Sequence, residues 1–199
     1  MDQASNGITC VILAGGKSYR FGGNDKGLET LAGRAMVEYV IDAIAPQVDE
    51  IVINANRNIE LYAGYGFPVI QDSFDYAGPL AGMAAGIEAA TTNLVLTVPC
   101  DGPRLPSELV SRLKHGLEQN SAMVSVAHDG ERMQPVFALF RREILPEIYS
   151  YLQAGGRKLQ LWLSQQKLAI ADFSDQPDAF INVNTPEDRE LIEDRLMQE

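Results

Sequence analysis

The stretch Leu13–Glu29, LAGGKSYRFGGNDKGLE, gathers five glycines, two lysines and one arginine directly behind a short apolar run. Glycine lets backbone N–H groups approach a polyphosphate with no Cβ in the way, and Arg20 and Lys26 add charge-assisted bonds to phosphate oxygens. The chemistry on offer is the binding of a phosphorylated anion. Further along, VPCDGP (Val98–Pro103) sets Asp101 just past another apolar run. Taken alone, Asp101 reads best as a cap for the helix that follows. Opposite a phosphate loop it reads better as a Mg²⁺ ligand, because magnesium favours one or two carboxylates completed by substrate phosphates.

Three phosphate loops compete for the first stretch. The NTPase loop needs a glycine five residues before the glycine of its Gly-Lys-Ser, and that position is Val11, inside the apolar run. The dinucleotide fingerprint needs G-x-G-x-x-G opening at once into a helix, whereas Gly15 and Gly16 are adjacent and a polar loop follows to about Leu28. What remains is an open loop in which Gly15-Gly16, Arg20 and Lys26 are the informative spacing. Two tempting features carry less. Trp162 lies on an apolar helical stripe with Leu159 and Leu163 nearby, so core packing is the better reading. His115 and His128 have no Cys or Asp neighbour that makes a metal site or triad, and there is no G-x-S-x-G elbow.

The elements that position these residues follow from the period of hydrophobicity. Ile8–Leu13 is a continuous apolar run of the kind buried on both faces of a parallel sheet. Further strands are expected at Glu50–Ala55, Phe67–Gln71, Leu94–Val98, Met123–Ala127, Gln134–Phe140 and Leu168–Phe173. Helices are expected at Ala35–Ile44, Leu80–Ala90, Pro106–Gln119, Arg141–Gln153 and Leu159–Gln166. A last one runs over Pro186–Met197, opened by Thr185 with Asp188 as a capping pair. Gly82 and Gly86 inside the Leu80–Ala90 helix imply close packing or ligand approach. Strands alternating with helices predict one α/β domain around a mostly parallel sheet, and ligands of such sheets sit beyond the carboxyl ends of the strands. Gly15, Asn54, Asp72 and Asp101 all fall there.

At 199 residues and 46% hydrophobic content the chain holds one well-buried core. A net charge of −11 argues against general nucleic-acid binding, so the local cluster of Lys17, Arg20 and Lys26 opposes the global sign. Cys10 and Cys100 have no disulfide or metal spacing, and the apolar run at Ile8–Ala14 is too short to span a membrane. The expectation is a soluble, cytoplasmic protein with a flexible tail at residues 1–7 and a single domain over 8–199.

The pattern L-A-G-G-x-x-x-R-apolar-G-G-x-D-K resembles the signature loop of nucleotidyltransferases, and this version resembles the molybdenum cofactor guanylyltransferase family in particular. Phe21 stands where methionine is commoner, apolar for apolar. GPLAG (Gly78–Gly82), MQPVFALF, GGRK (Gly155–Lys158) and FINVNTPED (Phe180–Asp188) extend the match to the final helix. The resemblance implies a Rossmann-like three-layer αβα sandwich of the nucleotide-diphospho-sugar transferase type, with GTP on the N-terminal half and the molybdopterin acceptor on the C-terminal half. It implies transfer of GMP from GTP to molybdenum-molybdopterin with release of pyrophosphate, Mg²⁺ held by Asp101, and catalysis by Lys26, Arg20 and Asp101. It implies nucleotide contacts from Leu13, Ala14, Gly15, Gly16, Lys26, Asn54, Asp72 and Asp101, with Gly78 and Gly82 at a helix start that faces an anion. Arg157, Lys158, Asn182 and Asn184 fall to the acceptor. Guanine offers paired N1–H and N2–H donors that a carboxylate accepts together; which of these residues reads base, ribose or phosphate stays open. The expectation is a monomer, and the resemblance implies transient contacts with other cofactor-biosynthesis proteins. The competing readings are a sibling enzyme using CTP or a sugar phosphate, and a non-catalytic nucleotide- or cofactor-binding chaperone.

Overall fold

A computed structural model describes residues 5–15, 25–74 and 78–196, without the side chains of Pro186 and Leu196. In chain order the elements are β1 (Ser5–Leu13), β2 (Thr30–Leu31), β3 (Arg34–Ala35), α1 (Met36–Ile44), β4 (Glu50–Asn54), α2 (Ile59–Ala63), β5 (Val69–Ile70), α3 (Pro79–Ala89) and β6 (Thr92–Pro99). They continue with α4 (Leu109–Gln119), β7 (Val124–His128), β8 (Met133–Arg141), α5 (Leu145–Gln153), α6 (Leu159–Leu163), β9 (Leu168–Asp172) and α7 (Pro186–Leu196). Among the described residues seven strands form the main sheet, in the order β5-β4-β1-β6-β8-β7-β9, and β8 alone runs antiparallel to its neighbours.

Alternation along β1 divides the core. Cys10 and Ile12 face one side, where Val37, Val40 and Ile44 of α1, Tyr62 of α2 and Leu109, Leu113 and Leu117 of α4 pack on the sheet. Val11 faces the other, under Leu80, Met83, Ala84 and Ile87 of α3, Ile148 and Leu152 of α5 and Trp162 of α6. The result is the expected three-layer αβα sandwich. Trp162 is buried, with its ring 6.4 Å from that of Phe140, so it serves the core as its apolar stripe implied.

The register is what builds a site. Leu13 pairs with Asn54 on one side and with Pro99 on the other, and Asn54 pairs with Ile70, so β1, β4, β5 and β6 end level. Two residues past that row stand Gly15, Asn56, Asp72 and Asp101. The chain leaves β1 toward β4 and β5 on one side and continues from β6 toward β7 on the other. The carboxyl ends of β1 and β6 therefore form the topological switch point where open sheets bind ligands.

Several boundaries differ from those the sequence predicts. β1 begins at Ser5, with a register shift before Ile8, so residues 5–7 belong to the sheet rather than to a tail. The third expected strand narrows to Val69–Ile70. The helix expected from Pro106 starts at Leu109, after a turn closed by Leu109 N–H on Pro106 O at 3.1 Å. Arg141 ends β8, and a 3-10 turn over Arg142–Ile144 precedes α5. Two elements go unforeseen because they are too short to show a period: α2, and the β2–β3 hairpin turned through Ala32 and Gly33, both at positive φ. The capping pair at the last helix is as expected, with Asp188 N–H on Thr185 Oγ1 at 3.1 Å and Thr185 N–H on Asp188 Oδ2 at 2.9 Å. Helix α7 is held to the β2–β3 hairpin by Ile192 in a small cluster with Leu31, Met36 and Val183, and by Arg189 donating to Glu29 at 3.0 Å.

Helix α3 is buried from Leu80 through Ile87, and its glycines let it lie directly on β1 and β4. A Cβ built on Gly86 overlaps the methyl groups of Val11. Gly86→Ala is therefore expected to cost about 1–3 kcal/mol of stability through overpacking, read as a lower urea midpoint with an unchanged slope.

Candidate active site

Lys26 is the hub of the site. It lies in a 3-10 turn, Lys26–Leu28, and its Nζ donates to Asp101 Oδ2 at 3.0 Å and to Asn184 Oδ1 at 2.5 Å. Asp101 follows β6 and is only 9% exposed, and its carbonyl accepts the N–H of Val183 at 2.9 Å, so the FINVN segment runs alongside it. Asn182 Oδ1, beside Gly102, is a buried acceptor with no hydrogen-bond partner among the described residues. Parts of the chain more than 150 residues apart thus meet at one ammonium group: the phosphate loop, the carboxylate after β6 and the asparagines before α7. Burial pushes the neighbouring Cys100 thiol well above its usual range, and the charges of Asp101 and Asp25 act in the same direction while Lys26 opposes them. It stays a protonated core residue.

The second group of site residues lies across β1. Asn54 Nδ2 donates to Asp72 Oδ1 and Asn56 Nδ2 donates to Asp72 Oδ2, each at 2.8 Å, while the Asp72 N–H donates to Asn56 Oδ1 at 2.9 Å. This fixes both amides and the carboxylate rotamer. Leu13, Ala14 and Gly15 form the floor between the two groups: Ala14 N–H donates to Asn54 O at 2.8 Å, and Cys100 N–H donates to Leu13 O at 3.1 Å. A Cβ built on Gly15 comes within 2.8 Å of Asn56 Nδ2 and 3.2 Å of Asn54 Oδ1, and one built on Gly82 overlaps the Asn54 carbonyl. Gly82 thus acts on the site through Asn54. Gly82→Ala is expected to push Asn54 off Asp72 and to cost about 1–3 kcal/mol of stability through overpacking, read as a lower urea midpoint.

The acceptor-side residues divide. Asn182 and Asn184 join the Lys26–Asp101 group, whereas Arg157 donates to Leu152 O at 2.9 Å and Gly156 O at 2.7 Å, satisfying the carboxyl end of α5. The exposed Lys158 is bonded through its main chain, where Tyr151 Oη donates to Lys158 O at 3.2 Å. No bond links either side chain to Asp101 among the described residues. Their turn nonetheless abuts the start of α3, since a Cβ on Gly78 lies 3.8 Å from Arg157 O. Gly78 itself takes φ 64° and ψ −158°, a conformation that suits glycine, ahead of Pro79 in the first helical turn. Gly16 and Arg20 lie outside the described residues. His115 is exposed on α4, and His128 accepts Gly130 N–H at 3.1 Å through Nδ1; neither approaches the Lys26 group through any described bond.

Sequence reasoning missed three residues here: Asp25, Asn56 and Tyr151. Asn56 had a readable signal, because the N-A-N spacing at a strand end turns Asn54 and Asn56 the same way. Tyr151 had none, since a helix tyrosine beside other apolar residues looks like core. Its ring in fact covers Gly156, where a Cβ would overlap it, and so shapes the GGRK turn.

The residues present suit a magnesium ion. No cluster of three or more His, Cys, Asp or Glu that could hold a metal exists among the described residues, so an ion here would rely on Asp101 and on substrate phosphates. The Asp101 carboxylate already has a cation at hydrogen-bond distance, the Lys26 ammonium, which shows that the position accepts positive charge.

Comparison with known proteins agrees with this geometry. Residues 10–169 match the family model for the MobA-like NTP transferase domain. A molybdenum cofactor guanylyltransferase of Shewanella sediminis is 47% identical over 190 residues, covering 95% of this chain and 97% of that one. The protein of the same description from Shewanella sp. strain MR-4 is 46% identical over 192 residues, covering 96% and 98%. Among solved structures, molybdopterin-guanine dinucleotide biosynthesis protein A of Archaeoglobus fulgidus superposes with a TM-score of 0.81 at 20% identity, over 96% of this chain and all of that one. The 4-diphosphocytidyl-2C-methyl-D-erythritol synthase of Anaerococcus prevotii shares the fold at a TM-score of 0.72 and 16% identity, over 98% of this chain and all of that one. With Lys26, Asp101 and Asn184 drawn to one sheet end, and with relatives of that description at 46–47% identity over nearly the whole chain, the chain belongs to the molybdenum cofactor guanylyltransferase family.

Proposed function

We propose that the protein transfers GMP from GTP to molybdenum-molybdopterin, releasing pyrophosphate and forming the guanine dinucleotide cofactor. The observation that carries this is the Lys26 ammonium, bonded at once to Asp101 of the nucleotide side and Asn184 of the acceptor side. One cation spans the place where two phosphorylated substrates would meet.

In the reaction, a terminal phosphate oxygen of the pterin attacks the α-phosphorus of GTP, and the bond from that phosphorus to the bridging oxygen of the departing pyrophosphate breaks in line. The nucleophile is already ionised near neutral pH, so no strong general base is required, in keeping with the lack of any histidine bonded into the site. Lys26, joined by Arg20, balances charge that builds on the transferring and leaving phosphates. Glycine-loop amides from Leu13 to Gly16 hold the polyphosphate. Mg²⁺ held by Asp101 supplies Lewis-acid neutralisation of phosphate oxygens when bound. Asn54 and Asp72, locked to each other and to Asn56, form the rigid polar wall for the nucleoside. Asn182 and Asn184 orient the pterin end, with Arg157 and Lys158 in the turn at the outer edge. The buried acceptor of Asn182 suits an N–H donor of a heterocycle better than a phosphate. Both cysteines are buried free thiols, which accords with a cytoplasmic setting, and no described helix is long and apolar enough to cross a membrane.

The test pairs each of the four ribonucleoside triphosphates with molybdenum-loaded molybdopterin and follows pyrophosphate. Release with GTP alone, and only when the pterin is present, is expected. Equal release with CTP would make the protein the cytidylyl sibling. Tight GTP binding without release would make it a carrier.

A further inference from the structure

We propose that Asp25, held by Tyr62, is a positioning residue that aims the Lys26 ammonium at the nucleotide. This rests on the reading above in which Lys26 serves the polyphosphate.

Asp25 is 8% exposed, and a carboxylate at that depth is costly unless its oxygens are bonded. They are: Tyr62 Oη donates to Oδ1 at 2.6 Å, and Asn58 Nδ2 donates to Oδ2 at 3.3 Å. Both donors belong to α2 or its start, where Asn58 takes the left-handed conformation at φ 51° and its carbonyl accepts the N–H groups of Leu61 and Tyr62. With each oxygen engaged there, Asp25 is placed to hold a piece of backbone rather than a metal. That piece is the turn that carries Lys26. Asp25 O accepts Leu28 N–H at 3.0 Å and Lys26 O accepts Glu29 N–H at 3.2 Å. The turn has no slack on its other side. A Cβ on Gly27 would lie 2.5 Å from Tyr62 Oη and 3.1 Å from both Cβ and Sγ of Cys100, the residue before Asp101. The tyrosine hydroxyl therefore meets the turn at the Asp25 carboxylate and fills the space that a side chain on Gly27 would need. A lysine has a long, entropically costly stem, so a fixed Cα position is what limits where its ammonium can go. Fixing it lets one side chain reach Asp101 and Asn184 together.

The test is a cycle of GTP dissociation constants, measured by calorimetry in Mg²⁺ buffer, for the wild type, Tyr62→Phe, Lys26→Ala and the double variant. Tyr62→Phe keeps the buried ring and removes only the hydroxyl. It is expected to weaken GTP binding about tenfold in the wild-type background, the scale of a lost bond to a charged group. In the Lys26→Ala background it is expected to change affinity by no more than about twofold, the usual limit of non-additivity for sites that do not communicate. Equal losses in both backgrounds would mean that the hydroxyl only stabilises the fold, and would overturn the proposal, as would no loss in either. A Lys26→Ala protein that binds GTP as the wild type does would instead overturn the phosphate role of Lys26 itself. Should Tyr62→Phe not fold, Asn58→Gly takes its place. It suits the positive φ and removes the side-chain amide with its methylene, with an expected loss of about threefold that again vanishes without Lys26.

Discussion

Asp101→Ala is expected to abolish guanylyl transfer, with a loss of at least about a thousandfold, the scale seen when a group stabilising developing charge is removed from a preorganised site. The fold should survive. The Asp101–Lys26 pair has side chains 12% and 25% exposed, and the freed ammonium reaches water with little movement. A partly exposed pair is worth about 1 kcal/mol or less, so the thermal midpoint should move by a few degrees at most. The informative measurement is GTP binding without divalent cation. On the proposed mechanism Asp101 would place a negative charge beside the phosphates, so its removal should leave metal-free GTP affinity unchanged or raise it while turnover vanishes. Asp101→Asn should behave alike, because the amide keeps the shape and loses the charge. Near-normal transfer by purified Asp101→Ala protein would sink the assignment of this carboxylate to the metal.

Lys26→Ala should separate two properties that usually fall together. Turnover is expected to drop by about a hundredfold or more, the scale of losing a preorganised group that, on the proposed mechanism, would stabilise charge on the transferring phosphate. The affinity of the nucleotide-free protein for Mg²⁺ or Mn²⁺ is expected to rise. In the structure the Lys26 ammonium lies 3.0 Å from Asp101 Oδ2, so a divalent ion at this carboxylate competes with a neighbouring positive charge. Removing the lysine removes the competitor. Titration of the nucleotide-free variant with Mn²⁺, followed by electron paramagnetic resonance, tests this; a weaker ion affinity than wild type would show that Lys26 and the metal do not share Asp101.

The order of these elements, and their chemistry, could be read a long way from the residues themselves. Apolar runs over Ile8–Leu13 and Leu94–Val98 cannot be solvated, so they had to become central strands. A stripe at Met36, Val37, Val40 and Ile44 had to become a helix against them. The Gly15-Gly16, Arg20, Lys26 spacing excluded two other phosphate loops by simple counting, and Thr185 with Asp188 announced the last helix. These are local properties, governed by neighbours a few residues away.

What only the tertiary structure decided depends on contacts between residues far apart. Lys26 meeting Asn184 spans 158 positions, and Tyr62 reaching Asp25 spans 37, so no local pattern marks either. Asp25 looks in sequence like one more polar loop residue, and its role comes from burial, which makes an unbonded carboxylate intolerable and so selects a tyrosine to face it. Gly82 reads equally as a ligand-binding or a packing glycine, and the answer turned on where the Asn54 side chain lies once β4 and α3 are packed. Arg157 reads as a cation awaiting an anion, yet its guanidinium completes the end of α5, because unpaired carbonyls at a helix terminus attract the nearest donors. By itself the amino-acid sequence determined the layers, through hydrophobic period, and a candidate phosphate loop, through residue type and spacing, while the reaction class followed from its resemblance to a known family. The level ends of β1, β4, β5 and β6 decided which side chains face one another there, because register is set only when the whole sheet closes.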